Sequence, residues 1–140
     1  MSEVFTPHGR FSLHIDDRVI VSEVTGPWNL ELVKDWAREV NPYAEQMQNG
    51  GPWGGIAIIH ESMLCTPEAM TAIGAASSYA VAHYGCIAQL VVAARDVAGR
   101  GVVESAFHRL YEDVCACEFF DDYAAAKVWL DQLILEKASA

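Results

Sequence analysis

Basic residues are scarce in this sequence: nine Lys and Arg stand against nineteen Asp and Glu, a formal net charge of −10 over 140 residues. Those few are scattered, with no run or stripe, which argues against a surface that tracks nucleic-acid phosphates. The same acidity sets the chain against anionic membrane surfaces. Long apolar runs are missing too; none approaches the ~20 residues of a membrane span, so no insertion is expected. Met1 to Arg10 lacks the basic-then-apolar order of a secretion signal, and the expected compartment is the cytoplasm. Cysteine is limited to four residues with no C-x-x-C pair. That pattern speaks for reduced thiols and assembles no zinc spacing.

What is present is a globular composition. Hydrophobic residues make up 52% and charged residues 20%, enough for one domain with a substantial core across residues 1–140. Phe11-Ser12-Leu13-His14-Ile15 alternates as a half-exposed strand does. Asp16-Asp17 or Asp17-Arg18 turns the chain into a second strand, Val19 to Val24, and the short connection implies an antiparallel hairpin. Asn29 is placed to cap a helix with apolar positions Leu30, Val33, Ala37, Val40, Ala44 and Met47. Pro42 predicts a kink or break near Val40-Asn41. A strand from Trp53 to Ile59 follows, then a helix from Thr66 to about Tyr84, with Gly85 as its C-terminal stop. Ile87 to Ala94 reads as a strand, Val103 to Tyr111 as a helix, and Cys115 to Phe120 as a strand with Cys115 and Cys117 on one face. Asp121 or Asp122 caps a last helix through Tyr123, Ala126, Trp129, Leu130, Leu133 and Ile134. The order ββαβαβαβα predicts an α/β fold: a five-stranded, mostly parallel sheet with an antiparallel edge strand and about four helices.

The densest local signal is His60-Glu61-Ser62-Met63-Leu64-Cys65-Thr66-Pro67-Glu68. It joins the apolar strand Ile56-Ala57-Ile58-Ile59 to a helix start, where open α/β sheets place their sites. Thr66 is read first as a helix cap, with Pro67 at the first helical position and Glu68 favouring the positive end. Its functional alternative is a phosphoacceptor, because the helix N-terminus offers free amides to a phosphate. Cys65 is read first as a buried thiol. Its alternative is a nucleophile with His60 as base, opposed by the nearby acids Glu61 and Glu68. His60, Glu61, Cys65 and His83 match no established metal spacing, so neither a metal nor a cofactor is expected. Gly50-Gly51-Pro52-Trp53-Gly54-Gly55 precedes a strand and lacks the P-loop lysine, which makes it a turn. Gly99-Arg100-Gly101 does lie between strand and helix, where Arg95 or Arg100 could meet an anion. His14 and His108 look solvated.

Cys117-Glu118-Phe119-Phe120-Asp121-Asp122-Tyr123-Ala124-Ala125-Ala126-Lys127-Val128-Trp129-Leu130 looks like the final strand and "F-x-D-x-x-x-A-x-x-W-L" helix of the SpoIIAA-like fold, shared by bacterial STAS domains. The opening hairpin and Thr25-Gly26 before the first helix fit as well, so the resemblance runs from Phe11 to Leu135. It implies one of two binding functions. One is a STAS-type phospho-switch for a protein partner, at Ser62 or Thr66, although Cys65-Thr66-Pro67 stands where those regulators carry an Asp-Ser-Ser-Gly-like signature. The other is a carrier of an apolar, lipid-like small molecule, for which Trp28, Trp36, Trp53 and Trp129 would suit a pocket.

The expectation is therefore a non-enzymatic binding module whose working surface is the Glu61–Glu68 loop, the following helix start and the Arg95–Gly101 loop. A small thiol enzyme using Cys65 and His60 is the alternative from another class. A homodimer is also expected, on the ground that Trp28, Trp36 and Trp53 are too many to bury in one small monomer.

Overall fold

A computed structural model describes residues 9–139. Five strands form one sheet in strictly sequential order: β1 (Arg10–Asp16), β2 (Val19–Thr25), β3 (Trp53–His60), β4 (Cys86–Val92) and β5 (Phe119–Phe120). β1 and β2 pair antiparallel through a turn at Asp17-Arg18, with Asp17 at φ 56°. Every other pairing is parallel. The α/β architecture is the one expected, with helices α1 (Leu30–Met47), α2 (Pro67–Tyr84), α3 (Arg100–Tyr111) and α4 (Tyr123–Ala138).

Sequential order decides where the helices go. Right-handed crossovers that always step to the next strand put each connecting helix on the same face. Core residues from α1 (Leu32, Val33) and α3 (Val103, Phe107, Tyr111) accordingly pack with Ile59 and Val91 on that face, and α2 adds Ala69. The other face is covered by α4, whose Ala126, Leu130 and Ile134 meet Val19, Val21, Ile56, Ala88, Leu90 and Val92. Gly54 makes this approach possible, since a Cβ there would lie 2.9 Å from Leu130.

Local signals account for the helix starts. Asn29 accepts the Leu32 amide, Thr66 the Ala69 amide and Asp122 the Ala125 amide, each satisfying a first-turn donor. α2 ends at Gly85 with φ 79°, the left-handed stop glycine allows.

Three details differ from the sequence reading. α1 runs through Pro42 without a break. Pro42 and Arg38 are both exposed, so the Arg38 carbonyl that loses its donor faces water. The buried stripe of α1 uses Leu32 in place of Leu30, with Trp36 rather than Ala37 packed beside it. β5 is only two residues long. Carbonyls of Ala116 and Glu118 still accept from β4 and that of Phe120 from Ala93, with an isolated bridge between Ala88 and Ala116, but the regular ladder begins only at Phe119.

The tryptophans also correct an expectation. Trp28 and Trp53 are 5% and 2% exposed within a single chain, and Trp36 is half-buried. Their burial needs no second copy. No helix among the described residues is long and apolar enough to cross a membrane.

Candidate functional site

The junction after β3 is stitched on both sides. The Gly26 amide donates to the His60 carbonyl (3.1 Å) and the Trp28 amide to that of Leu64 (3.1 Å). On the other flank the Met63 amide donates to Ala98 (2.8 Å), and the Ala98 amide returns to Glu61 (3.2 Å). Glu61 adopts φ 67° to make the turn. Gly26 is required for the close approach, because a Cβ would fall 2.1 Å from the Ser62 carbonyl oxygen. The Glu61–Glu68 and Arg95–Gly101 loops are thus neighbours, as expected, and Leu64 lies against Gly99.

The candidate side chains in these loops are mostly engaged. Ser62 is buried, and its Oγ accepts the Leu64 amide at 3.1 Å. Thr66 is exposed and caps α2. His60 pairs through Nε2 with Glu23 Oε1 at 3.0 Å, on the opposite sheet face from Cys65, which packs on the α1–α3 side. The structure therefore does not bring the two members of a thiol–imidazole pair together. Burial pushes the Cys65 thiol up, while the nearby Trp28 indole opposes the rise. Trp28 Nε1 nevertheless reaches no acceptor at hydrogen-bond geometry among the described residues.

Arg100 is held by neighbours as well. Its Nη1 donates to the Ala93 carbonyl (2.8 Å) and Asp121 Oδ1 (2.6 Å), and its Nε lies 3.7 Å from Glu104. Arg95 donates to the other Asp121 oxygen at 3.2 Å. Hydrogen bonds from Arg100, then Arg95, hold the Asp121 carboxyl below its ordinary range. A protein carboxylate already occupies the place proposed for an anion. The other thiols are poor nucleophiles: burial pushes Cys86 and Cys117 up to about 12 and Cys115 up to about 11. No cluster of three or more His, Cys, Asp or Glu among the described residues is arranged to hold a metal ion.

Beside His60 an open, partly polar pocket of about 320 Å³ is lined by Arg10, Ser12, Glu23 and Thr25; apolar space lies elsewhere. Between the sheet and helices α1 and α2 is an apolar cavity of about 110 Å³. Its floor includes Ser22, Gly55 and Ala57 from adjacent strands; α2 contributes Ala76, Ser77 and Ala80. Small side chains on both sides leave volume that no neighbour fills. Trp28, Trp36 and Trp53 all line it, with Phe107 and Tyr111 from α3. Trp129, the fourth aromatic of the sequence reading, packs with Phe120 on the α4 side.

Polar groups in this lining are few and mostly paired. Trp36 Nε1 donates to Ser22 Oγ (3.0 Å), and Trp53 Nε1 to the Tyr84 carbonyl (2.6 Å). Ser77 Oγ and Tyr111 OH share a buried hydrogen bond of 3.0 Å. Trp28 Nε1 is the buried side-chain polar atom without a hydrogen-bond partner among the described residues, and Gln89 contacts Cys86 Sγ through Nε2 at 3.4 Å. Gly55 gives this amide its room, since a Cβ there would sit 2.6 Å from Oε1.

Sequence reasoning missed the cavity as a site. The usable signal was the run of small residues in α2 together with Gly55 and Ala57 in a buried strand. No family model matches the chain, and neither a curated protein nor a solved structure matches it.

Proposed function

We propose that the protein binds a small apolar molecule in the cavity between the sheet and helices α1 and α2. The observation that carries this is the cavity itself: about 110 Å³ of unfilled space walled by aliphatic and aromatic side chains. Engineered apolar cavities of roughly 150 Å³ stay dry and take up benzene or xenon, so the volume suits a ligand on the scale of one ring. Most lining polar groups are satisfied internally, which leaves hydrophobic burial as the driving force. Gln89 Oε1 supplies one acceptor, a match for a single hydroxyl or N–H on an otherwise apolar ligand. The resemblance to SpoIIAA-like carriers points the same way. The binding site of this proposal lies behind the His60–Thr66 loop, not on it.

The test is native mass spectrometry of gently purified protein, combined with toluene titration followed by intrinsic tryptophan fluorescence. A retained small molecule, or saturable quenching or enhancement by toluene that Ala76→Leu abolishes, supports the cavity site. Empty protein whose fluorescence does not respond to toluene overturns it.

A further inference from the structure

The two edges of the sheet are very different. β5 ends it with two residues, whereas β1 presents seven, Arg10–Asp16, to which no strand is paired on the outer side among the described residues. Long open edges are sticky, and proteins usually blunt them with lysine, proline or a bulge. β1 has none of these: its register with β2 is unbroken from Arg10↔Thr25 to Asp16↔Val19.

The two-residue turn makes Asp16 and Val19 a hydrogen-bonded pair, so the even-numbered residues of β1 bond to β2. Phe11, Leu13 and Ile15 therefore turn their N–H and C=O groups outward. Their side chains share the α1 face: Phe11 lines the cavity, Leu13 is half-buried and Ile15 is 39% exposed. The even side chains lie on the α4 face, where Tyr123 OH donates to Asp16 Oδ2 at 2.5 Å.

We propose that β1 pairs antiparallel with β1 of a second copy, centred on Leu13, joining the two sheets into one ten-stranded sheet. The sequence Arg10-Phe11-Ser12-Leu13-His14-Ile15-Asp16 is self-complementary in this register. Arg10 of each copy faces Asp16 of the other, Phe11 faces Ile15, Ser12 faces His14, and Leu13 faces itself. The outward amides of residues 11, 13 and 15 all meet outward carbonyls, an alignment the two-fold axis repeats. Phe11, Leu13 and Ile15 of both copies form a continuous apolar strip on the α1 face, and opposite charges close both ends on the α4 face. Asp16 retains acceptor positions for this beside its bond to Tyr123. Neighbouring registers are worse. Shifting by two residues sets Arg10 against His14 in one direction; in the other it sets Arg10 against Arg18 and the two His14 against each other.

Sedimentation equilibrium of the full chain tests the seam. Wild-type protein across the micromolar range is expected to approach twice the 15.3 kDa of one chain. Leu13→Pro removes an outward amide while leaving the β2 ladder whole; it is expected to give a monomer with unchanged far-UV circular dichroism. Arg10→Asp is independent of folding at an exposed site, and is expected to raise the dissociation constant about tenfold by facing carboxylates at both ends. Adding Asp16→Arg restores opposite charges and recovers most of that loss. A wild-type monomer throughout the range, a folded Leu13→Pro dimer, or an Arg10→Asp dimer of unchanged affinity each overturns the proposal.

Discussion

The loop His60–Thr66 and the cavity beneath α1 and α2 lie close together and differ in what they leave unsatisfied. In the loop, the His60 and Leu64 carbonyls accept from the Gly26 and Trp28 amides on one side, Glu61 and Met63 bond Ala98 on the other, and the side chains of Ser62 and Thr66 serve the backbone. In the cavity most polar groups are paired, Trp28 Nε1 apart, but volume is left open. A segment rich in His, Glu, Ser, Cys and Thr proves to be a structural clasp. A region marked only by small and aromatic residues offers room for a ligand. Residue chemistry draws attention to the first and passes over the second, because open volume is made by missing atoms.

That difference can be broken or sharpened by substitution. The largest expected effect is at the clasp: Gly26→Ala drives a Cβ against the Ser62 carbonyl and should destabilise the fold by about 3 kcal/mol in urea unfolding. A loss under about 0.5 kcal/mol would mean that the clasp can yield. In the cavity the sign reverses. Ala76→Leu fills open space, and should raise stability by about 1 kcal/mol while weakening toluene binding at least about tenfold; a destabilised variant that still binds would contradict the cavity's shape. Thr66→Ala should cost about 1 kcal/mol through the lost cap, with Thr66→Asp restoring most of it and toluene affinity untouched by either. The smallest effect concerns the thiols. Burial raises all four, Cys86, Cys115 and Cys117 to about 11 or 12 and Cys65 upward, so little thiolate exists at neutral pH. Iodoacetamide should label each slowly near pH 7 and faster as pH rises. Rapid labelling of Cys65 alone at pH 7 would return the thiol-enzyme reading.

Much of the fold was legible because its signals are local. Asn29, Thr66-Pro67, Gly85 and Asp122 mark helix ends within a few residues, and alternation in Phe11–Ile15 against the apolar run Ile56–Ile59 separates an edge strand from a buried one. β5 reads longer in the sequence than its two-residue ladder because Ala116 and Glu118 meet β4 through single bonds and an isolated bridge, a difference that apolar patterning does not carry. The candidate site was legible only in pieces. Trp28, Trp36 and Trp53 suggested a pocket, but the hollow arises where Ser22, Gly55 and Ala57 come to lie beneath Ala76, Ser77 and Ala80, and residues so far apart in sequence reveal that only once folded. Likewise, the partners of Arg100 and His60 are set by tertiary placement: Asp121 lies 21 residues away and Glu23 lies 37.

The contrast between clasp and cavity is tested most directly by a two-dimensional ¹H–¹⁵N NMR titration of the wild-type protein with toluene. Saturable shifts of the Trp28, Trp36 and Trp53 indole signals and of the Ala57 and Ala76 amides, larger than any shift at Glu61–Thr66, are the predicted result. Shifts centred on Glu61–Thr66 with the three indoles unmoved, or no saturable shift anywhere, would contradict it.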